Sequence, residues 1–243
     1  MAGGSSRKIG AECTIDSIAM PLFGKIHMTL LASIALLGFL LGWGCRTGRL
    51  PARPVRLTLG LALAVNELIW WAFRYSHEGV HFPRNLPLQL CDVTVWMTVA
   101  ACLTLKPWVV EFDYFAGMAG AGMALITPDL WTQWPSYPAA YFFLAHGGIV
   151  VGIGVAVFGG IAPLRPGAVW RAFGGLLAYA SLLGAFNAVF HTNYMYLCTR
   201  PASASVLDAF GPWPVYLVQA AGLTLFIYWL LWLPTRGLAA RER

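Results

Sequence analysis

Two side chains within apolar stretches are suited to covalent chemistry, Cys91 and His146. Cys91 follows Pro87 near the start of a predicted helix, where unpaired backbone amides and the helix dipole favour a thiolate nucleophile. His146 lies in a second apolar stretch, and an imidazole can accept a thiol proton near neutral pH. The adjacent Asp92 opposes thiolate formation, and most cysteines in such helices are small buried side chains. The pair predicts nucleophilic catalysis, with purely structural roles as the alternative.

A second motif, located between two apolar stretches, matches H-E-x-x-H. Its residues are His77, Glu78 and His81. In zinc hydrolases with this motif, two histidines one helical turn apart bind the metal and the glutamate activates water. Gly79 and Pro83 disfavour the helix that this geometry requires, and Asp92 is the nearby candidate for a third ligand. We therefore expect no metal and no other cofactor, and a zinc hydrolase is the least favoured alternative.

The composition indicates that lipid surrounds most of the elements that carry these residues. Apolar residue types make up 58% of the 243 residues, and there are 26 glycines, whereas soluble domains have an apolar share of roughly 45–50% with glycine included. A spanning helix needs about 20 mostly apolar residues, and no stretch alternates with the period of two that barrel strands require. We predict an all-α membrane protein, a bundle of seven transmembrane helices at residues 26–43, 57–73, 86–105, 112–126, 139–161, 170–190 and 213–233.

The remaining residues form short tails and connections. We expect a polar N-terminal tail at residues 1–25, one seven-helix domain at 26–235 and a basic C-terminal tail at 236–243. Ten of the 16 Lys and Arg side chains fall on the side that carries the C-terminus, and the side richer in these residues faces the cytoplasm. We therefore predict the N-terminus outside and the C-terminus inside. In a membrane protein, the net charge of +6 favours anionic lipid over nucleic acid as the partner.

Alternating helix directions bring one set of polar residues to the predicted outer side of the membrane. At about 1.5 Å per residue, Cys91 lies roughly 7–8 Å and His146 roughly 10 Å from the start of their predicted helices. The two side chains can meet only if the third and fifth helices are neighbours. Polar residues buried in a membrane are costly and usually functional. The predicted supporting and substrate-binding residues are Glu67, Gln89, Asp92, Asp129, Asn187, His191, Asn193 and Arg200.

Six short blocks occur in order along most of the chain. They are 86–93 (LPLQLCDV), 125–129 (LITPD), 143–147 (FLAHG), 193–196 (NYMY), 200–205 (RPASAS) and 211–214 (GPWP). Together they resemble the YwaF family of bacterial integral membrane proteins, which is related to the eukaryotic transmembrane protein 164. The resemblance implies a seven-helix fold, a multi-pass protein of the bacterial inner (plasma) membrane, and, from the eukaryotic relatives, phospholipid acyl transfer through a cysteine with a histidine partner. The matching positions are Cys91 and His146.

We therefore expect acyl transfer between phospholipids and lysophospholipids, with Cys91 as the nucleophile, His146 as the base, and Arg84 or Arg200 as the phosphate ligand. A lipid hydrolase that uses the same two residues is one alternative. Another is a protein that binds or transports lipids or small solutes without chemistry. Nucleic acid is not an expected partner, and the sequence makes no prediction about the oligomeric state.

Overall fold

The computed structural model describes residues 20–130, 132, 134–201 and 206–239. These residues form seven α-helices: α1 Lys25–Arg46, α2 Ala52–Glu78, α3 Leu90–Thr104, α4 Pro107–Ile126, α5 Tyr137–Phe158, α6 Ala168–Phe190 and α7 Val215–Ala239. Two short 3-10 turns, Tyr194–Tyr196 and Val206–Ala209, lie between α6 and α7. The all-α architecture with seven helices is confirmed. Most of the predicted N-terminal tail and the last four residues lie outside the described residues.

Six of the helices are long and apolar enough to span a membrane, and α3 is shorter, with 15 residues. The chain before α3 contains Pro83 and Pro87, which lack a backbone donor and disfavour helix in the residue before them. The helix begins at Leu90, where the Gln89 amide donates to Asp92 Oδ2 at 3.0 Å in the manner of a capping box. The predicted start at residue 86 is therefore four residues too early.

Most of the other helices extend beyond their predicted bounds, as α4 and α2 illustrate. The fourth predicted segment was cut at residue 112 because of Glu111, but α4 begins at Pro107, which is well suited to the first turn of a helix. Glu111 is tolerated inside α4 because two arginine side chains pair with it. The second predicted segment, 57–73, is likewise only the apolar centre of α2, whose ends are polar.

The central helix of the bundle is α5, which packs against α1, α2, α3 and α4. Small residues let its backbone approach these neighbours closely. A Cβ atom at Gly147 would lie 2.8 Å from Ile34 of α1, and one at Gly152 would lie 2.8 Å from Thr98 of α3. The third and fifth helices are therefore direct neighbours, as a meeting of Cys91 and His146 requires.

Side-chain contacts show which helix ends lie together. His27 Nε2 donates to the Leu125 carbonyl at 2.7 Å and joins the start of α1 to the end of α4. At the opposite side, Arg46 Nη1 donates to the Phe158 carbonyl at 3.3 Å and joins the ends of α1 and α5. We call the first side, with the connectors 79–89 and 191–214, the pocket end. The second side, with the connectors 47–51, 105–106 and 159–167, is the basic end.

Candidate active site

Cys91 is the second residue of α3 at the pocket end, and it is half-buried. Helical spacing places it on the face that also carries Val95, Thr98 and Cys102. Thr98 and Cys102 lie against Gly152 of α5, so this face of α3 packs against α5. Among the described residues, the Cys91 sulfur forms no hydrogen bond. The thiol is therefore not committed to a structural contact.

His146 is buried in α5, with 8% of its surface exposed. Its Nδ1 atom lies 2.8 Å from the carbonyl oxygen of Phe142. A carbonyl can only accept, so Nδ1 carries the proton and donates. In the neutral imidazole, the Nε2 atom then carries the lone pair, which is the state that a general base requires. The ring lies against that of Phe142, with 4.2 Å between centroids.

The structure brings the helices of Cys91 and His146 together but does not join the two side chains by a hydrogen bond in the part of the chain that it describes. Cys91 lies within electrostatic range of Tyr141. His146 is five residues further along α5, which corresponds to about 7–8 Å along the axis and about 140° around it. The imidazole therefore points away from the face of α5 that carries Tyr141. Catalytic hydrogen bonds are often long in unliganded enzymes and tighten when substrate binds.

Glu67 ties α2 to α5 next to Cys91. Its side chain is fully buried, and its two oxygens accept separate bonds, from Trp71 Nε1 at 2.6 Å and from the Tyr141 hydroxyl at 2.7 Å. The Tyr141 ring also stacks on Trp70, with centroids 4.1 Å apart. We predicted Glu67 as a supporting residue, and in the structure its carboxylate fixes the position of the Tyr141 side chain.

A polar cavity of about 290 Å³ opens at the pocket end. We call it the polar pocket, and it is lined by Arg84, Gln89, His191, Thr192, Asn193 and Tyr194. Three of these, Gln89, His191 and Asn193, were predicted from the sequence as supporting residues. Among the described residues, neither the Arg84 guanidinium nor the His191 imidazole has a hydrogen-bond or ion-pair partner. Two basic side chains that face a polar cavity without partners suit an anion such as a phosphate group.

Asn187 and Tyr194 form the framework of the polar pocket. Asn187 is buried; its Oδ1 accepts from the Tyr194 amide at 3.0 Å, and its Nδ2 donates to the Tyr194 carbonyl at 3.0 Å. The Tyr194 hydroxyl donates to the Pro83 carbonyl at 2.7 Å and accepts from the Leu86 amide at 3.0 Å. Burial raises the pKa of the Tyr194 phenol, which keeps this donor protonated. These bonds tie the connector after α6 to the connector before α3.

The other predicted supporting residues have structural partners or lie outside the pocket lining. Asn193 Oδ1 accepts from the amides of Cys198 and Thr199 and orders the chain after α6. Arg200 donates to the carbonyls of Phe210 and Gly211. Of the two arginines predicted to bind phosphate, Arg84 is thus available and Arg200 is engaged. Asp92 caps α3, and Asp129 lies just beyond α4 at the pocket end.

The H-E-x-x-H stretch does not form the helical turn that zinc hydrolases use. Gly79 ends α2 between the two histidines, with a φ of 74°, and Glu78 is paired with Arg74 at 2.9 Å. His81 Nε2 donates to the Glu78 carbonyl at 2.7 Å. Within the described ranges, no group of three His, Cys, Asp or Glu side chains is arranged to hold a metal ion.

Three residues of the site, Thr192, Tyr141 and Tyr194, were not predicted. Tyrosines near helix ends are typical of the aromatic belts at membrane surfaces, so the type and position of these two tyrosines do not indicate a role in the site. Their roles depend on partners that are remote in sequence, Glu67 for Tyr141 and Asn187 and Pro83 for Tyr194.

Comparison with known proteins identifies a family. No curated protein and no solved structure matches the chain. The TMEM164 family matches residues 22–233, a range that includes α1 to α6 and most of α7 together with the polar pocket. With its six candidate membrane spans, the chain is a multi-pass membrane protein and belongs to the TMEM164 family.

Proposed function

We propose that this protein is an acyltransferase that moves a fatty acyl chain between phospholipids through a thioester on Cys91. The observation that carries the proposal is the polar pocket, where the side chains of Arg84 and His191 have no partner among the described residues. Gln89 lines this pocket and is two residues from Cys91. A phospholipid phosphate bound by the two basic side chains would place its ester bonds near the thiol, while its tails stay in the bilayer.

The reaction divides into two transfers at one sulfur. The proton of Cys91 moves to His146 Nε2, and the thiolate attacks the ester carbonyl of the donor lipid. The bond between the carbonyl carbon and the glycerol oxygen breaks, and that oxygen takes the proton from the imidazolium to leave as a lysophospholipid hydroxyl. An acceptor hydroxyl then gives its proton to His146 and attacks the thioester, which restores the thiol. With water as the acceptor, the same steps hydrolyse the lipid.

This mechanism requires the thiol and the imidazole to approach each other when the substrate binds. In the described ranges, no hydrogen bond occupies the Cys91 sulfur or His146 Nε2, so both atoms are available for that contact. The absence of a bond between them in the described residues favours one other candidate function. In that alternative, the polar pocket binds a lipid headgroup and no acyl transfer follows.

Trapping the thioester tests the proposal directly. We expect purified protein incubated with phospholipid to gain the mass of one acyl chain, which neutral hydroxylamine removes because thioesters are labile to it. Intact-protein mass spectrometry measures this gain, and Cys102→Ala is the matched control because Cys102 lies on the same face of α3. Acylation of the Cys102→Ala variant, together with no acylation of the Cys91→Ala variant, would agree with the proposal. No mass gain in the wild type at any donor concentration would argue for the binding protein.

The orientation that we infer has the pocket end outside the cell and the basic end in the cytoplasm. Eight described Lys and Arg residues lie at the basic end: Arg46, Arg49, Arg53, Arg56, Lys106, Arg165, Arg171 and Arg236. The pocket end carries four: Lys25, Arg74, Arg84 and Arg200. Positive loops are retained in the cytoplasm. Membership of the bacterial YwaF branch, and with it a bacterial plasma membrane, stays a prediction.

Cysteine labelling on intact cells tests the orientation. Cys198 is exposed at the pocket end, and Cys13, which lies outside the described residues, is predicted on the same side. In a Cys13→Ser background, a membrane-impermeant maleimide should label Cys198 without permeabilisation, and the added Cys198→Ser change should remove that label. Labelling that appears only after permeabilisation would show that the pocket end faces the cytoplasm.

A further inference from the structure

A second cavity, which we call the side groove, lies between α3, α4 and α6. Its volume is about 290 Å³, and it is lined by Val93, Met97, Trp108, Glu111, Phe112, Arg171, Ala172, Gly175 and Tyr179. Val93 is two residues from Cys91, so it lies on the opposite face of α3. The side groove is therefore separate from the polar pocket and from the face that carries the thiol. Most of its lining is apolar, and its charged residues, Glu111 and Arg171, lie near the basic end.

Two arginines share one carboxylate at this end of the side groove. Arg165 Nε donates to Glu111 Oε1 at 2.8 Å, and Arg171 Nε donates to Oε2 at 2.9 Å. Glu111 is almost fully buried, whereas the arginine side chains are 50% and 45% exposed. One carboxylate neutralises one of the two cations, so a charge of +1 remains. Arg165 Nη1 also donates to no group among the described residues and faces outward with its exposed guanidinium.

We propose that the side groove binds one anionic phospholipid of the leaflet at the basic end. The surplus positive charge and Arg165 Nη1, which has no partner in the described part of the chain, would bind the phosphate, because basic pockets between transmembrane helices recognise anionic headgroups. The apolar lining from Phe112 to Val93 would hold part of one acyl chain. A volume of about 290 Å³ lies at the small end of the range for ligand pockets, which suits one flexible chain segment better than a bulky ligand.

The site is independent of acyl transfer, since the groove lies on the other face of α3 and its charged residues lie at the other end of the bundle. Its occupant is expected to stay bound and to stabilise the packing of α3, α4 and α6. Trp108, with 58% of its surface exposed, lies beside the groove at the basic end, where tryptophans typically contact the headgroup region.

Native mass spectrometry of the detergent-purified protein tests this site. The measurement uses an Arg84→Gln background, which weakens the polar pocket, and compares phosphatidylglycerol with phosphatidylcholine of identical chains. We expect preferential binding of one phosphatidylglycerol. Arg165→Gln should weaken it about fivefold, the equivalent of roughly 1 kcal/mol for one surface arginine, and should leave phosphatidylcholine unaffected.

A second variant tests the same site by filling the groove without changing its charge. A Cβ atom at Gly175 would lie 3.2 Å from the Phe112 ring, so Gly175→Leu should occupy the groove and lower the binding of both lipids. Gly174→Leu is the matched control, because a Cβ atom there meets nothing within 4 Å. Arg165 lies in the connector between α5 and α6, so its variant decides the question if Gly175→Leu does not fold. Unchanged phosphatidylglycerol binding in Arg165→Gln would overturn the proposal, whatever the outcome of the thioester experiment.

Discussion

Replacing Cys91 by alanine should abolish acyl transfer without loss of lipid binding or of the fold. Removal of an enzymatic nucleophile typically lowers turnover by a factor of about a thousand or more. The Cys91 sulfur forms no hydrogen bond among the described residues, so alanine removes little structural support. Transfer of a labelled acyl chain from phospholipid to lysophospholipid in proteoliposomes measures the first effect, and lipid retention on the purified protein measures the second.

The second buried cysteine of α3 provides the control for this variant. Cys102 is fully buried on the same helical face, eleven residues and about 16 Å further along the axis. Cys102→Ala should therefore keep full transfer activity. Undiminished transfer in Cys91→Ala would exclude the cysteine mechanism, whereas absent transfer in the wild type combined with lipid retention would identify a binding protein.

Replacing Glu67 by leucine should give the largest loss of stability among the polar substitutions at the site. The change leaves the Trp71 indole and the Tyr141 hydroxyl without acceptors in a buried, lipid-surrounded position. Each unsatisfied donor costs about 1–3 kcal/mol, and hydrogen bonds within membranes contribute at the lower end of that range. We expect a loss of about 2–4 kcal/mol in the free energy of unfolding, measured by denaturant titration in detergent micelles.

A double-mutant cycle separates the lost hydrogen bonds from a general packing defect. Tyr141→Phe alone should cost about 1 kcal/mol, and it keeps the ring that stacks on Trp70. In the Glu67→Leu background, the same change removes one unsatisfied donor, so the double variant should be less destabilised than the sum of the single variants. Strict additivity would show that Glu67 and Tyr141 contribute independently.

The helices were predictable from the sequence because a membrane demands long apolar segments with internally bonded backbones. The errors lie where polar residues sit within helices or where a connector is apolar. Glu111 cut the predicted fourth helix short, although Arg165 and Arg171 neutralise it from remote positions. The hydrophobicity of residues 86–89 predicts helix, although these residues belong to the connector whose Leu86 amide donates to the Tyr194 hydroxyl.

The sequence predicts several residues of the candidate site but not which of their side chains face each other. Alternating helix directions place Gln89, His191 and Asn193 at one end, and the structure groups them around one cavity. The rotation of each helix about its own axis decides which side chains face each other, and spacing along one helix does not reveal it. The sequence therefore predicts Cys91 and His146 as partners, but only the structure shows that the two side chains point in different directions.

The shortness of α3 changes the bilayer beside the thiol. Its 15 residues reach about 22 Å, less than the roughly 30 Å of a hydrocarbon core. Lipids adapt to such a hydrophobic mismatch by local thinning. We therefore expect the connector that precedes α3 to lie below the ordinary headgroup plane, so that an adjacent phospholipid can sink its glycerol backbone to the level of the sulfur without leaving its leaflet.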